Sequence, residues 1–343
     1  MEHINRAFLG SAAAVLASMG ALTLAAQASA MAPSLTGAGS TLVAPLESDW
    51  STGWQSATGN AVSYTPVGSS LGITEISQRQ VDFGASDAPL SAAQDKTCAG
   101  CVQIPWALSA TAVGFHLDGI TTLKLSGKVL AEIYLGQITN WANAQIKALN
   151  KAVKLPDKKI SVIYRSDGSG DTYAFTQYLS DVSHAWKSRV GYGTTVSFPT
   201  GVSARGNGAV TALLTNTDGG IAYVAASYLL EFGGLGAVQV ENAAGNFEYP
   251  NVKNITDAAA SVHSIPADNA LPIVDPPKSA KIAYPISTFT YVIVSENTSK
   301  AKLLQSFISY ALTTGQAFGN KLDFPPVPAI VLKRAQSTLA SLT

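Results

Sequence analysis

Arg165-Ser166-Asp167-Gly168-Ser169-Gly170-Asp171 lies between a strand-like run, Ile160 to Tyr164, and a helix-like run, Thr172 to Leu179. A polar, glycine-rich turn at a strand-to-helix junction is suited to holding an anion. Glycine lets the backbone fold tightly with its N–H groups turned inward, and a helix start presents unpaired donors and a partial positive charge. Arg165 adds a two-pronged cationic fork for an oxyanion. The stretch lacks the Gly-Lys-Ser/Thr ending of a nucleotide P-loop. Taken alone it also fits a plain helix start whose amides are capped by Asp or Ser.

Two further stretches repeat the arrangement. Thr36-Gly37-Ala38-Gly39-Ser40-Thr41-Leu42 precedes a helical pattern that runs to about Trp54. Gly68-Ser69-Ser70-Leu71-Gly72 follows the strand-like Val62 to Val67 and opens a short helix around Ile73 to Arg79, after which comes Val81-Asp82-Phe83-Gly84-Ala85-Ser86-Asp87. Elsewhere strand-like runs (Thr111 to Leu117, Ile221 to Val224, Thr290 to Ser295) alternate with helical patterns (Val129 to Tyr134, Ala142 to Asn150, Asp171 to Ser180, Ala209 to Thr215, Ala301 to Thr314), which predicts an α/β fold. The Asn-, Gly- and Ala-rich Glu241 to Asn254 reads as a surface excursion, and Pro266 to Pro285 as a proline-punctuated connection.

With GAGST from Gly37, VDFGASDAPL from Val81, GKVLAEIYLGQITNWANAQIKALN from Gly127, RSDGSGDT from Arg165 and GGIAYV from Gly219, the chain resembles the PstS family. These are phosphate-binding proteins of the periplasmic high-affinity phosphate uptake system, and the resemblance spans nearly all of the chain after residue 30. It implies a two-lobed, type II-like periplasmic binding protein whose ligand cleft lies between lobes. Two crossing segments would join the lobes, near Thr111 to Leu117 and near Pro285 to Ser295. Residues 31–115 plus 285–343 would form lobe I, completed by the C-terminal helices, and residues 116–284 lobe II.

Carried over by position, the resemblance has Thr41 and Ser69 each giving a hydroxyl and an amide, Leu42 its amide, and Arg165 the charged fork. Ser169 and Gly170 would donate from the helix start, and Asp167 would orient the guanidinium. Ionised Asp87 can only accept hydrogen bonds, so it asks for a proton on the ligand; phosphate carries one near neutral pH and sulfate none. Two positions depart from the family pattern: Leu42 stands where an aromatic is common and Asp171 where Thr is common. Asp171 is either a second acceptor at the anion, favouring the doubly protonated ion, or a solvent-facing residue that stabilises the helix start. The implied function is capture of inorganic phosphate and delivery to the membrane permease of an ABC importer, by a monomer without cofactor or metal.

Composition fits an exported binding protein. Residues 1–30 read as a signal peptide, with Arg6 in a short polar start, an apolar stretch from Phe8 to Ala26 and Ala28-Ser29-Ala30 as cleavage triplet; an uncleaved anchor is the alternative. No cysteine lies near that site to take a lipid, which favours a free periplasmic protein. Lys and Arg total 22 against 22 Asp and Glu, which argues against a nucleic-acid partner; the densest basic cluster, Lys154 to Lys159, reads as a solvated loop. Cys98 and Cys101, the only cysteines, point to a small closed disulfide in an exported chain, with a thioredoxin-like redox pair as the alternative. Zinc would need more ligands than the scattered His116, His184 and His263 offer. A phosphatase would need an activated nucleophile or clustered metal ligands. Other oxyanions such as sulfate or molybdate, or a structural protein on the same scaffold, complete the alternatives.

Overall fold

The computed structural model describes residues 34–231 and 234–343; the signal peptide read over residues 1–30 lies outside the described residues. The chain begins β1 (Ser34–Gly39), α1 (Ala44–Thr58), β2 (Ala61–Thr65), α2 (Ser69–Ser77), β3 (Phe83–Ser86), α3 (Ala92–Thr97) and the long β4 (Cys101–Phe115). It continues β5 (Thr122–Leu125), α4 (Gly127–Tyr134), α5 (Ala144–Leu149), β6 (Ser161–Arg165), α6 (Gly170–Val182), α7 (His184–Arg189), β7 (Val202–Ala204), α8 (Gly206–Thr215) and β8 (Gly220–Ala225). Then come α9 (Ala226–Glu231), β9 (Gly236–Glu241), β10 (Phe247–Glu248) and α10 (Val252–Ala259). After an irregular connection follow β11 (Ser287–Ser295), α11 (Ala301–Leu312), a 3-10 helix (Thr314–Leu322) and α12 (Ala329–Ala340).

The strands lie in the order β2-β1-β3-β11-β4-β8-β6-β7, with β9 joining β4 and carrying β5 and β10. β4 serves both halves of this curled sheet. Its residues 101–110 pair antiparallel with β11, and Thr111 to Phe115 pair with β8. The chain therefore crosses between two lobes within one strand, at Ala110 and Thr111. The second crossing lies beside it, where the Thr111 N–H donates to the Ile286 carbonyl at 2.9 Å and the Tyr284 hydroxyl to the Thr111 carbonyl at 3.1 Å.

The sequence pattern places only the Thr111 to Leu117 end of β4, because Pro105 interrupts the run before it. A proline within a strand lacks its N–H and is tolerated at a bulge. Here the register against β11 shifts between Thr290 and Tyr291, leaving Trp106 without a cross-strand partner beside Pro105. The Trp106 ring instead enters the lobe I core, 5.0 Å from Trp50 between centroids.

Two large apolar clusters form the core, and β4 and α12 contribute to both. In one, Leu35, Trp50, Trp54 and Phe83 are buried with Leu304, Phe307 and Leu312 of α11 and with Ala335 and Leu339 of α12, so the C-terminal helices pack on the N-terminal elements. In the other, Phe115, Leu130, Trp141, Phe175, Tyr178, Trp186 and Tyr223 pack together. Leu46, Trp50 and Trp54 of α1 and Leu304, Phe307, Ile308 and Ala311 of α11 recur at helical spacing, so pattern and burial agree there.

Two readings need correction. Glu241 to Asn254 is not a mere excursion: it contains β10 and the start of α10, and Asn242 and Asn254 are buried. Their side-chain amides satisfy backbone carbonyls, Asn242 at Lys281 and Ala283 and Asn254 at Tyr249, so asparagines that look like loop residues are internal ties. The helix after Gly68 starts at Ser69, four residues before the apolar pattern from Ile73, because hydroxyl and glycine positions carry no hydrophobic signal.

Cys98 and Cys101 form a disulfide that closes the turn between α3 and β4. The Arg79 guanidinium lies over it, donating to Cys101 Sγ at 3.1 Å and to the Ala99 carbonyl at 2.9 Å. In the chain-entropy account a loop this short contributes only about 2 kcal/mol. Replacing both cysteines by Ser should therefore lower the melting temperature modestly and leave ligand affinity unchanged. Two free thiols found by mass spectrometry of natively extracted protein would contradict the bond.

Candidate functional site

The turn before α1 folds around the Ser40 hydroxyl, which accepts the Leu42 N–H at 3.0 Å and the Val43 N–H at 3.3 Å. The same hydroxyl has its proton free for Asp87, whose two carboxylate oxygens lie 2.6 and 2.7 Å away. Asp87 stands directly after β3 and is buried, with its carbonyl taking the Thr288 hydroxyl at 3.0 Å. At the start of α2 the Ser69 hydroxyl meets Asp87 twice, donating toward Oδ2 at 3.3 Å and accepting the Asp87 N–H at 3.3 Å. It also accepts the Gly170 N–H at 3.1 Å from the other lobe.

On the lobe II side Arg165 ends β6 and is 5% exposed. Its fork closes on Asp167, with Nε to Oδ1 at 2.7 Å and Nη2 to Oδ2 at 2.5 Å, while Nη1 donates to Asp171 Oδ2 at 3.0 Å. Asp167 is fixed in turn by the Gly206 N–H at 3.0 Å. Asp171 accepts the Thr111 hydroxyl on Oδ1 at 2.9 Å and the Asn207 Nδ2 on Oδ2 at 2.8 Å. Ser169 caps α6 by accepting the Thr172 N–H, and the Tyr223 hydroxyl bridges the Arg165 N–H and Thr172.

Two glycines make this convergence sterically feasible. Gly68 has φ +98°, a left-handed value that favours glycine, and a Cβ there would overlap the Asp167 carboxylate. A Cβ on Gly170 would overlap the side chain of Asp87. Close approach of the lobes at the site thus depends on having hydrogen at both positions.

Charge in this buried volume is unbalanced. Burial pushes the Asp87 carboxyl up to about 7; the nearby Asp171 charge adds to the rise, and the Ser40 and Ser69 hydroxyls and Arg165 only partly oppose it. Burial also raises Asp171, against the pull of Arg165 and the hydrogen bonds from Asn207 and Thr111. Asp167 is also pushed up by burial, yet its direct bond to the guanidinium wins and holds it below the usual carboxylate range. Asp167 and Arg165 are therefore a charged pair, and Asp87 is a carboxyl poised to gain or lose a proton near neutrality.

The structure brings together all eight positions read from the sequence: Thr41, Leu42, Ser69 and Asp87 from lobe I with Arg165, Ser169, Gly170 and Asp171 from lobe II, every one buried. Asp167 orients Arg165 as its place two residues on suggests. Asp171 is 1% exposed, so the solvent-facing reading of this residue is wrong; its oxygens turn inward to Thr111, Arg165 and Asn207. Sequence reasoning missed Ser40, Thr111 and Asn207. Ser40 sits inside the quoted glycine stretch, and Asn207, flanked by Gly206 and Gly208 just before an apolar helix, was the available signal for a polar helix start. Thr111 has no local signal, because its role depends on where β4 crosses between lobes. Among the described residues no cluster of three or more His, Cys, Asp or Glu could hold a metal ion.

The chain matches the model of a PBP superfamily domain over residues 24–314. It is 36% identical over 313 residues to a phosphate-binding protein PstS of Xylella fastidiosa, covering 90% of this chain and 85% of that one. To a phosphate-binding protein PstS of Haemophilus influenzae it is 35% identical over 322 residues, covering 92% of this chain and 95% of the relative. Among solved structures it is similar to a high affinity periplasmic phosphate-binding protein bound with phosphate (TM-score 0.73, 23% identity, 89% of this chain and 93% of that one). A putative phosphate ABC transporter substrate-binding protein from Clostridium perfringens, with bound phosphate, aligns with TM-score 0.63 at 21% identity, over 86% of this chain and 100% of that one. At these identities the two structures speak for the fold.

Proposed function

Because the chain belongs to the PstS family of phosphate-binding proteins, we propose that it captures inorganic phosphate between its two lobes and delivers it to the permease of an ABC phosphate importer. The observation that carries this reading is the buried meeting of one guanidinium, two helix starts and a carboxyl, Asp87, whose side-chain hydrogen bonds come from hydroxyls. Arg165 supplies charge and the Thr41 and Ser169 hydroxyls keep a proton to donate, while the Leu42 and Gly170 N–H groups and the Ser69 hydroxyl, held here by Ser40, Ser69 and Asp87, turn to the anion when it enters. Asp87 accepts the proton that phosphate carries. Asp171 has one donor on Oδ1, so that oxygen keeps a lone pair for a protonated anion while Oδ2 holds the guanidinium. A neutral protein can hold a multivalent anion this way, since the donors lie in a buried volume shielded from water.

The protein works as a monomer in the periplasm, exported through its N-terminal segment and free of a lipid anchor. It is a binding protein rather than an enzyme: the anion is gripped and released, with no bond broken. The lobes, expected from the sequence as 31–115 plus 285–343 and 116–284, divide on β4 a few residues earlier, and they separate about the paired crossings at Thr111 and Ile286 to admit and release phosphate. Contacts between lobes at the site, such as the Ser70 N–H to the Gly168 carbonyl at 3.1 Å and the Ser70 to Thr194 hydroxyls at 3.0 Å, are those such a motion breaks. Saturating phosphate should shrink the radius of gyration measured by small-angle scattering and raise the melting temperature, because a ligand touching both lobes binds the closed form. Superimposable scattering curves with and without phosphate would contradict the closing cleft.

A further inference from the structure

We infer that Asn207, at the start of α8, is a positioning residue for the anion: it forces the Thr41 hydroxyl to act as a donor into the site while fixing the Asp171 carboxylate behind Arg165. The inference rests on the phosphate reading above and assigns a part of that site which the sequence motifs do not contain. Asn207 is fully buried, and its side-chain orientation is unambiguous. Oδ1 accepts the Ala225 N–H at 2.9 Å, which only an oxygen can do, so Nδ2 faces the opposite way. There it meets two acceptors, Thr41 Oγ1 at 2.9 Å and Asp171 Oδ2 at 2.8 Å, and its two protons serve one each.

The consequence for Thr41 follows from counting. A hydroxyl has one proton and two acceptor lone pairs. Asn207 occupies both lone pairs, one through Nδ2 and one through its backbone N–H at 3.3 Å. The proton is left to point elsewhere, and among the described residues no protein acceptor takes it. A hydroxyl that could otherwise rotate to accept is thus held as a donor, which is the polarity an anion needs. Because Thr41 belongs to lobe I and Asp171 to lobe II, the same amide sets the donor of one lobe against the carboxylate of the other.

The test is a set of phosphate titrations by calorimetry on the stripped protein. Asn207→Asp keeps the acceptor for Ala225 but turns an oxygen toward Thr41 and Asp171. That oxygen captures the Thr41 proton and adds a fourth carboxylate to Asp87, Asp167 and Asp171. Phosphate should bind about a hundredfold more weakly at pH 8, with much of the loss recovered toward pH 6 as the introduced carboxyl takes up a proton. Asn207→Ala should cost about tenfold in the wild-type background but about threefold or less when Thr41 is already Val, since its effect runs partly through that hydroxyl. Thermal melts without ligand report any loss of fold separately. An equal cost of Asn207→Ala in both backgrounds, or a pH-independent loss in Asn207→Asp, would overturn the positioning role. Wild-type protein that binds no phosphate would instead overturn the phosphate reading itself.

Discussion

Arg165→Ala is expected to weaken phosphate binding at least about a hundredfold. Each charge-assisted hydrogen bond contributes about 1.5–3 kcal/mol, and every 1.4 kcal/mol is about tenfold, so losing two donors accounts for the factor. The structure adds a second effect that the motif alone does not suggest. Arg165 is also the countercharge of Asp167 and Asp171, whose side chains are 8% and 1% exposed. Removing one partner of a buried pair typically costs about 3–5 kcal/mol. Asp171 is already raised by burial and would rise further without Arg165, so it can relieve part of that cost by protonating. An acid with a raised folded pKa contributes stability at low pH that is lost as pH rises through that value. The variant should accordingly melt lower than wild type, with a gap wider at pH 8 than at pH 5. Arg165→Lys should fall between, keeping charge and losing the fork. Unchanged affinity in Arg165→Ala would remove Arg165 from the site.

Sulfate rejection is the second large effect. At pH 8 the wild-type protein should prefer phosphate over sulfate by about a thousandfold or more, because an ionised, buried Asp87 meets a proton on one and a bare oxygen on the other. Asp87→Asn offers an N–H in place of the carboxylate and should bring the two affinities within about tenfold. The burial that raises Asp87 to about 7 gives this selectivity a pH dependence. Above that value the carboxylate is ionised and discrimination is full; below it the carboxyl can donate, and the ratio should narrow from pH 8 to pH 6. The same raised value makes the ligand-free fold lose stability as pH rises from about 4 through about 7. Asp87→Asn should therefore out-melt wild type at pH 8 and lose that advantage toward pH 4. A sulfate-to-phosphate ratio that ignores both pH and this substitution would show that Asp87 does not read the ligand's proton.

The parts of the site that were legible in the sequence are those whose chemistry is local. Arg165, Asp167, Ser169 and Gly170 occupy one turn, and the turn's polarity, glycines and position between strand and helix state its purpose. Asp87, Ser69 and Thr41 are named through the resemblance to the PstS family, whose motifs here are short glycine-rich stretches at element boundaries. What was not legible depends on distance in the chain. Thr111 reaches Asp171 across 60 residues, and Asn207 reaches Thr41 across 166, so neither pairing leaves a spacing to read. Asp171 was ambiguous for a related reason: an acid in the first turn of a helix satisfies the helix dipole whether it faces water or a guanidinium. In the fold, the amphipathic helices and the short β6 and β8 were placed to within a few residues. The first two thirds of β4, Cys101 to Ala110, were hidden by Pro105, whose strand position is tolerated because a bulge against β11 leaves Trp106 to pack inward.

Calorimetric titration of the refolded, phosphate-stripped protein with phosphate, sulfate and molybdate tests the central claim most directly. Saturable binding of one phosphate per chain is expected, with no comparable heat from sulfate or molybdate over the same range at pH 8. Tighter binding of sulfate or molybdate than of phosphate, or no binding of phosphate at all, would contradict it.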